Sequence, residues 1–252
     1  MRNELLKIGP FTIYGYGFMI ALGIIAAFLI AEKRAKRNNL DSEQIVFLSV
    51  CTVLCGFLGA KLLYWITELP AFIKNPMSFF TTMADGFVVY GGIIGGIIGG
   101  FVISKIKMLD FLAYFDLMIP SIAIAQGFGR IGCFLAGCCY GKETKSALHI
   151  VFHSSWYAPN GVALIPTQLY SAGLDFIHFA ILLLIAAKTR KKGVVAACYL
   201  IFYSAGRFIL EFFRGDINRG SVGMLSTSQF IAVFVFVIGI AGLIWRSKTD
   251  VK

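Results

Sequence analysis

The sequence predicts an all-α integral membrane protein of about seven transmembrane helices, with its N-terminus outside and its C-terminus cytoplasmic. The 252 residues are 58% hydrophobic and only 14% charged, with a mean hydropathy of +0.80; a soluble domain carries about 25% charged residues. The apolar residues gather into runs near the roughly 20 residues that cross about 30 Å of hydrocarbon. Thirteen of the 23 Lys and Arg fall in four short segments, 32–43, 105–107, 188–193 and 246–252. Three of those segments are alternate connections between the runs and the fourth follows the last run, which is the inside-positive bias that orients membrane helices. The net charge of +10 is thus a matter of topology, and nucleic acid is excluded as a partner.

Each run can be placed in turn. The first, about 11–31 (FTIYGYGFMIALGIIAAFLIA), is longer than a signal-peptide core and is followed, not preceded, by EKRAKR, so a retained helix is expected. The second covers about 45–66 and runs outward. The third, about 87–104, returns inward, and its glycines repeat every four residues at Gly91, Gly95 and Gly99 and at Gly92, Gly96 and Gly100. Such a face has almost no side chains and admits a neighbouring backbone closely. The fourth, about 111–135, runs outward into GRIGCFLAGCCYG and an external loop, 140–165. The fifth (about 167–187), sixth (about 194–213) and seventh (about 226–245) complete the bundle. No linker or low-complexity tract interrupts it, so residues 1–252 are expected to form one transmembrane domain.

Three cations fall at membrane depth: Lys61, Arg130 and Arg207. A charge there is costly unless something answers it. Tyr203, Arg207, Glu211 and Arg214 fall on one stripe of the sixth span at 3.6 residues per turn. An internal Arg207–Glu211 pair would satisfy itself, but it would leave Arg130 and Arg214 short of carboxylates, since Asp116 and Asp175 read as lying nearer the middle or inner halves. Arg130, Arg207 and Arg214 all fall toward the outer ends of their spans. Guanidinium is a permanently charged planar fork of donors suited to phosphate. Three of them at that depth imply a site for an anionic lipid headgroup. Gln126, Gln168 and Gln229 could add neutral contacts or serve as helix–helix hydrogen bonds.

Of six cysteines, Cys51, Cys55 and Cys198 read as small apolar packing residues. Cys133, Cys138 and Cys139 admit four roles: packing, a disulfide, a metal site or a reactive thiol. No Cys-x-x-Cys or His-x-x-x-His spacing near them supports zinc, and neither a metal nor another cofactor is expected.

With these residues in view, the chain resembles the prolipoprotein diacylglyceryl transferase family over nearly its full length. The resemblance rests on YGYGFMI in the first span, the Gly-Gly run of the third and GRIGxF at 129–134. It continues through PTQLY at 166–170, YSAGRFILEFFRGD at 203–216 and LSTSQ at the head of the seventh span. It implies a multi-pass enzyme of a bacterial-type plasma membrane. Such an enzyme moves the diacylglyceryl group of phosphatidylglycerol onto the cysteine thiol of a prolipoprotein signal peptide, giving a thioether. By motif position it implies that Arg130 and Arg207 bind the phosphate, that Arg207 and Glu211 belong to the catalytic set, and that Arg214, Tyr16, Gly91, Gly92 and Gln168 contact substrate.

The chain also departs from the family pattern. Tyr90 stands where the family typically has histidine before Gly-Gly, and Cys133, Ala136 and Cys138 stand where it has Asn, Asn and Glu. The phosphate end of the site is kept and the acid–base end is rebuilt. Bringing a tyrosyl hydroxyl from about 10 to 7 needs roughly 4 kcal/mol, and a thiol needs about half of that. Tyr90, Cys133 or Cys138 is therefore expected to activate or orient the acceptor. Two other functions fit less well: a related enzyme using an anionic phospholipid with a different acceptor, and an anion or lipid transporter. Transporters commonly carry paired symmetric repeats, and none is visible in this sequence.

Overall fold

The computed structural model describes residues 4–8, 11–77, 79, 82, 86–216 and 220–248. Seven of its helices are long and apolar enough to cross a membrane, so the chain is a multi-pass membrane protein built from helices. In chain order these are α1 (Gly15–Arg37), α2 (Ser42–Thr67), α4 (Val89–Ile106), α5 (Phe111–Ala136), α6 (Thr167–Lys188), α7 (Val194–Glu211) and α8 (Thr227–Lys248); a short α3 (Leu69–Lys74) follows α2. Among the described residues three two-stranded antiparallel ribbons accompany them: β1 (Glu4–Ile8) with β2 (Phe11–Tyr14), β3 (Ile150–Val151) with β4 (Ala163–Leu164), and β5 (Ser221–Val222) with β6 (Leu225–Ser226).

The spans agree with the sequence expectation to within about three residues except at α1, which begins at Gly15 rather than 11 and runs on to Arg37 rather than 31. Residues 11–14 are the strand β2, paired Lys7 to Thr12 and Glu4 to Tyr14, and α1 begins only at Gly15. A short β-branched and aromatic run such as FTIY is as apolar in a strand as in a helix. The sixth span ends at Glu211 rather than 213. Phe213 N–H bonds to Leu210 O at 3.1 Å, Arg214 N–H bonds to Glu211 O at 3.3 Å, and Arg214 then pairs with Gly141 in an isolated β-bridge. Arg214 is therefore not on the helical stripe.

The chain divides into two compact units, Met1–Lys33 with Phe115–Lys252, and Arg34–Tyr114. In the second, α4 lies against α2 through the glycine face. A Cβ on Gly59 would strike the backbone of Gly91 and Gly95, and one on Gly95 would strike Cys55 and Gly59. Here the sequence expectation of close backbone approach is met. Lys61 in this unit donates to Thr82 O at 2.7 Å and sits 5.0 Å from the centres of the Tyr64 and Phe87 rings, so carbonyl and π density answer its charge.

In the first unit Ile119 and Ala123 of α5, Leu182 of α6, and Val195 and Ala196 of α7 form one buried core. At the end of this unit where α7 starts, the Asp116 carboxylate accepts from Gly193 N–H at 2.6 Å, Ala196 N–H at 2.8 Å and Val195 N–H at 3.4 Å. These are unbonded donors of the first turn of α7, and a carboxylate there also answers the positive end of the helix dipole. Asp116→Ala should lower stability by about 0.5–2 kcal/mol, read as a fall in detergent-denaturation midpoint with the site at the other helix ends unaffected.

Candidate active site

The site lies at the opposite ends of these helices: the end of α5, the start of α6, the end of α7 and the start of α8. A cavity of about 260 Å³ is walled by Arg130, Asp175, His178, Tyr203, Arg207 and Leu210, among others. The two arginines from separate helices thus face one space. Their environments differ. Arg207 Nη1 pairs with Glu211 Oε2 at 2.7 Å, and its Nη2 donates to Ser228 Oγ on α8 at 2.9 Å. Arg130 has neither an ion pair nor a hydrogen bond among the described residues, although Tyr203, Asp175, Cys133 and Cys139 lie within its electrostatic reach. A fork of unused donors on a partly buried cation is a ready anion receptor.

Arg214 is held apart from the cavity wall. Its Nε and Nη2 bind the Asp216 carboxylate at 3.1 and 2.7 Å. Burial works against its charge, but the bonds to Asp216 and the nearby Cys139 outweigh that and raise its pKa. The strand-like segment around it is stitched to the turn after α5: Lys142 N–H bonds to Phe213 O at 2.9 Å and Gly215 N–H to Tyr140 O at 3.0 Å. Gly141 N–H bonds in turn to Ile165 O at 3.1 Å. Gly141 and Gly215 permit this three-way seam, because a Cβ on either would strike a backbone carbonyl, Ile165 O for the first and Gly141 O for the second.

The turn itself has a specific geometry. Gly137 lies at φ +77°, Gly137 N–H bonds to Phe134 O at 3.2 Å, and Cys138 N–H bonds to Cys133 O at 3.1 Å. These two bonds with a left-handed glycine are the Schellman termination of a helix. They fold residue 138 back over residue 133. Cys139 is itself left-handed at φ 58°, an uncommon state for a residue with a side chain. The result is that the sulfur atoms of Cys133, Cys138 and Cys139 all lie within 4.8 Å of one another, as free thiols. Hydrogen bonds from Cys133 and Cys138 hold the Cys139 thiol well below the usual cysteine range, and Arg214 and Arg130 push the same way. Cys138 is pushed up by its hydrogen bonds to Cys133 and Cys139.

Tyr16, at the start of α1, packs its ring against Gly132 of α5, where an added Cβ would come within 3.1 Å of it. It lies within electrostatic reach of all three thiols and of Arg130. Gln168 donates through Nε2 to Cys138 O at 2.8 Å, so it braces the turn. Gln126 accepts from Tyr199 at 2.9 Å, and Gln229 forms a reciprocal cap with Ser226 at the start of α8. These two serve helix packing and capping.

Of the residues singled out from sequence, Tyr16, Arg130, Cys133, Cys138, Gln168, Arg207, Glu211 and Arg214 belong to the first unit. Tyr90, Gly91 and Gly92 open α4 in the second. There Tyr90 is 40% exposed, while Gly91 packs on Gly59 and Leu63, and Gly92 on Gly56 and Ala60. The sequence reading set Asp175 aside as lying nearer the middle or inner half of its span, and passed over His178, Ser228 and Asp216 as site residues. Asp175 is seven residues after Gln168, a spacing that puts both on one helical face, and this signal was available. It also revises the placement of Asp175, which shares the Arg130 cavity. His178 stacks on Tyr199 at 5.1 Å, and Tyr199 on Tyr203 at 5.6 Å, continuing that wall.

Two arginines facing one cavity in a polytopic helical membrane protein form a site suited to an anionic ligand. Comparison with known sequences narrows this further. The family described as prolipoprotein diacylglyceryl transferase matches residues 3–245, and this chain belongs to that family of transferases. It is 47% identical over 240 residues to the phosphatidylglycerol–prolipoprotein diacylglyceryl transferase of Clostridium tetani, covering 95% of this chain and 96% of that one. It is 46% identical to the protein called phosphatidylglycerol–prolipoprotein diacylglyceryl transferase 2 of Clostridium perfringens, covering 95% and 93%. With the Finegoldia magna transferase it shares 33% over 249 residues, covering 96% of both.

Proposed function

We propose that this chain moves the diacylglyceryl group of phosphatidylglycerol onto the cysteine thiol of a lipoprotein signal peptide, at the outer leaflet of a bacterial plasma membrane. The observation that carries the proposal is the shared cavity of Arg130 and Arg207, in a chain of this family. Residues 1–252 act as one transmembrane domain with the N-terminus outside, which sets the cavity end of the bundle at the external face. The acceptor sulfur attacks the glyceryl carbon bound to the phosphate oxygen. A sulfur–carbon bond forms, the carbon–oxygen bond breaks, and its electron pair leaves on the phosphate. The thiol proton ends on the released glycerol phosphate.

Charge grows on the phosphate oxygens during that step, and fixed donors aimed there lower the barrier. Arg130 supplies an uncommitted fork. Arg207 is kept in place by Glu211 and Ser228, so Glu211 acts as a positioning residue. Tyr16 and Gln168 line the neighbouring thiol-rich turn, Gly91 and Gly92 let α4 approach closely, and Tyr90 orients the acceptor.

The test is to incubate membranes carrying the protein with labelled phosphatidylglycerol and a peptide bearing a lipobox-like cysteine. The expected product is the peptide thioether together with glycerol phosphate, with Tyr90→Phe slowed. Lipid consumption without thioether would refute this acceptor and favour another. Movement of intact lipid without cleavage would refute transfer altogether.

A further inference from the structure

Three thiols converge at the end of α5, and the transfer step as written above gives them no task. The Schellman turn assembles them. The turn is held from α6, where Gln168 Nε2 donates to Cys138 O at 2.8 Å and Thr167 Oγ1 donates to Cys139 O at 2.9 Å. Both of these side chains are 1% exposed. Buried partners that fix the groups carrying potential ligands are the outer-shell feature of metal sites.

The distances suit a thiophilic ion. Zinc–sulfur bonds of about 2.3 Å in a tetrahedron separate the sulfurs by about 3.8 Å. The three sulfurs here lie within 4.8 Å of one another, so side-chain rotation of about 1 Å closes the set. A disulfide would use two sulfurs and strand the third. Three thiolates around a divalent ion leave one net negative charge, and Cys139 has both Arg214 and Arg130 within electrostatic reach to balance it. Three protein ligands also leave the fourth position that distinguishes a reactive zinc site from a closed structural one.

We infer that Cys133, Cys138 and Cys139 form a zinc site whose open fourth position takes the acceptor thiol. The identity of the fourth ligand rests on the transfer proposed above, whereas the three-cysteine site does not. It replaces the expectation of no metal, which came from the absence of Cys-x-x-Cys spacing. On binding, the acceptor thiol gives up its proton, which the departing glycerol phosphate takes up. The sulfur then forms its bond to the glyceryl carbon as the carbon–oxygen bond breaks toward the phosphate, and the zinc remains divalent throughout. This supplies an activated sulfur beside Arg130, where the family pattern has Asn and Glu in place of Cys133 and Cys138.

The experiment uses the full-length protein purified in detergent. Zinc is measured by elemental mass spectrometry, removed by chelation, and titrated back as zinc alone. About one zinc per chain is expected, lost in each of Cys133→Ser, Cys138→Ser and Cys139→Ser and kept in Cys51→Ser and Cys198→Ser. Gln168→Leu should weaken zinc binding by about 10- to 100-fold. Cobalt(II) in place of zinc should show thiolate charge-transfer bands that Cys139→Ser abolishes. The stripped protein should still retain labelled phosphatidylglycerol but lose thioether formation by at least about 100-fold, recovered on adding zinc.

No saturable zinc uptake by the stripped wild type, or a disulfide among the three cysteines in the peptide map, overturns the site. Full turnover by the stripped protein overturns its role toward the acceptor. If no preparation makes thioether while zinc stays stoichiometric and cysteine-dependent, the transfer proposal fails and the metal site stands.

Discussion

Arg130→Lys should insert and fold like the parent and lose turnover by about 10²- to 10³-fold, the usual cost of removing one preorganised donor from a site of developing negative charge. The substitution keeps the charge, so any loss measures geometry. Arg130 faces the cavity with no hydrogen bond or ion pair among the described residues. Its fork is therefore free to take two phosphate oxygens at once, and an ammonium on a flexible stem takes them singly. Because the phosphate gains charge as the carbon–oxygen bond breaks, the loss should fall chiefly on kcat, with a smaller change in KM. Arg207→Lys should differ in kind. Its guanidinium is already bound to Glu211 and Ser228, so substitution also disturbs the contact between α7 and α8. Turnover by Arg130→Lys within a few-fold of the parent would count decisively against phosphate recognition by this side chain.

Much of the fold was legible because the bilayer imposes one length and one polarity on every span. Hydropathy located the helices to within a few residues, and the four-residue glycine repeat announced the close packing of α4 on α2. It misplaced both ends of α1, where FTIY forms a strand and the helix runs on through EKRAKR to Arg37. It also carried α7 too far, because a turn after Glu211 swings Arg214 into a β-bridge with Gly141. The two central arginines were legible as cations at an improbable depth. Their partners were less so: Ser228 meets Arg207 from another helix, and Asp216 meets Arg214 around a turn. Neither pairing obeys a spacing rule along one element.

The three cysteines were singled out together, but the convergence of their sulfurs was not legible, for a different physical reason. Ligand spacing rules assume a hairpin or a helical face, and residues 133, 138 and 139 satisfy neither. A left-handed glycine after an apolar helix is the relevant signal, because the six-to-one hydrogen bond of a Schellman turn puts the residue after glycine back beside the one five positions earlier.

That geometry makes Gly137→Ala the second large-effect variant. An L-residue at φ +77° costs roughly 1–2 kcal/mol from conformation alone. An added methyl would also strike Ser155 Oγ, which itself accepts from Ala158 N–H at 2.9 Å and Tyr157 N–H at 3.1 Å. Neither cost can be relieved without unwinding the end of α5, and unwinding separates Cys138 from Cys133. Zinc content and thioether formation should therefore fall together, by about 100-fold or more in turnover. Retention of labelled phosphatidylglycerol by Arg130 and Arg207 should change far less. A general loss of folding would depress all three readouts in parallel. An effect on zinc and turnover alone identifies Gly137 as a positioning residue for the thiols, and unchanged zinc with unchanged turnover in this variant would show that the turn does not hold the site together.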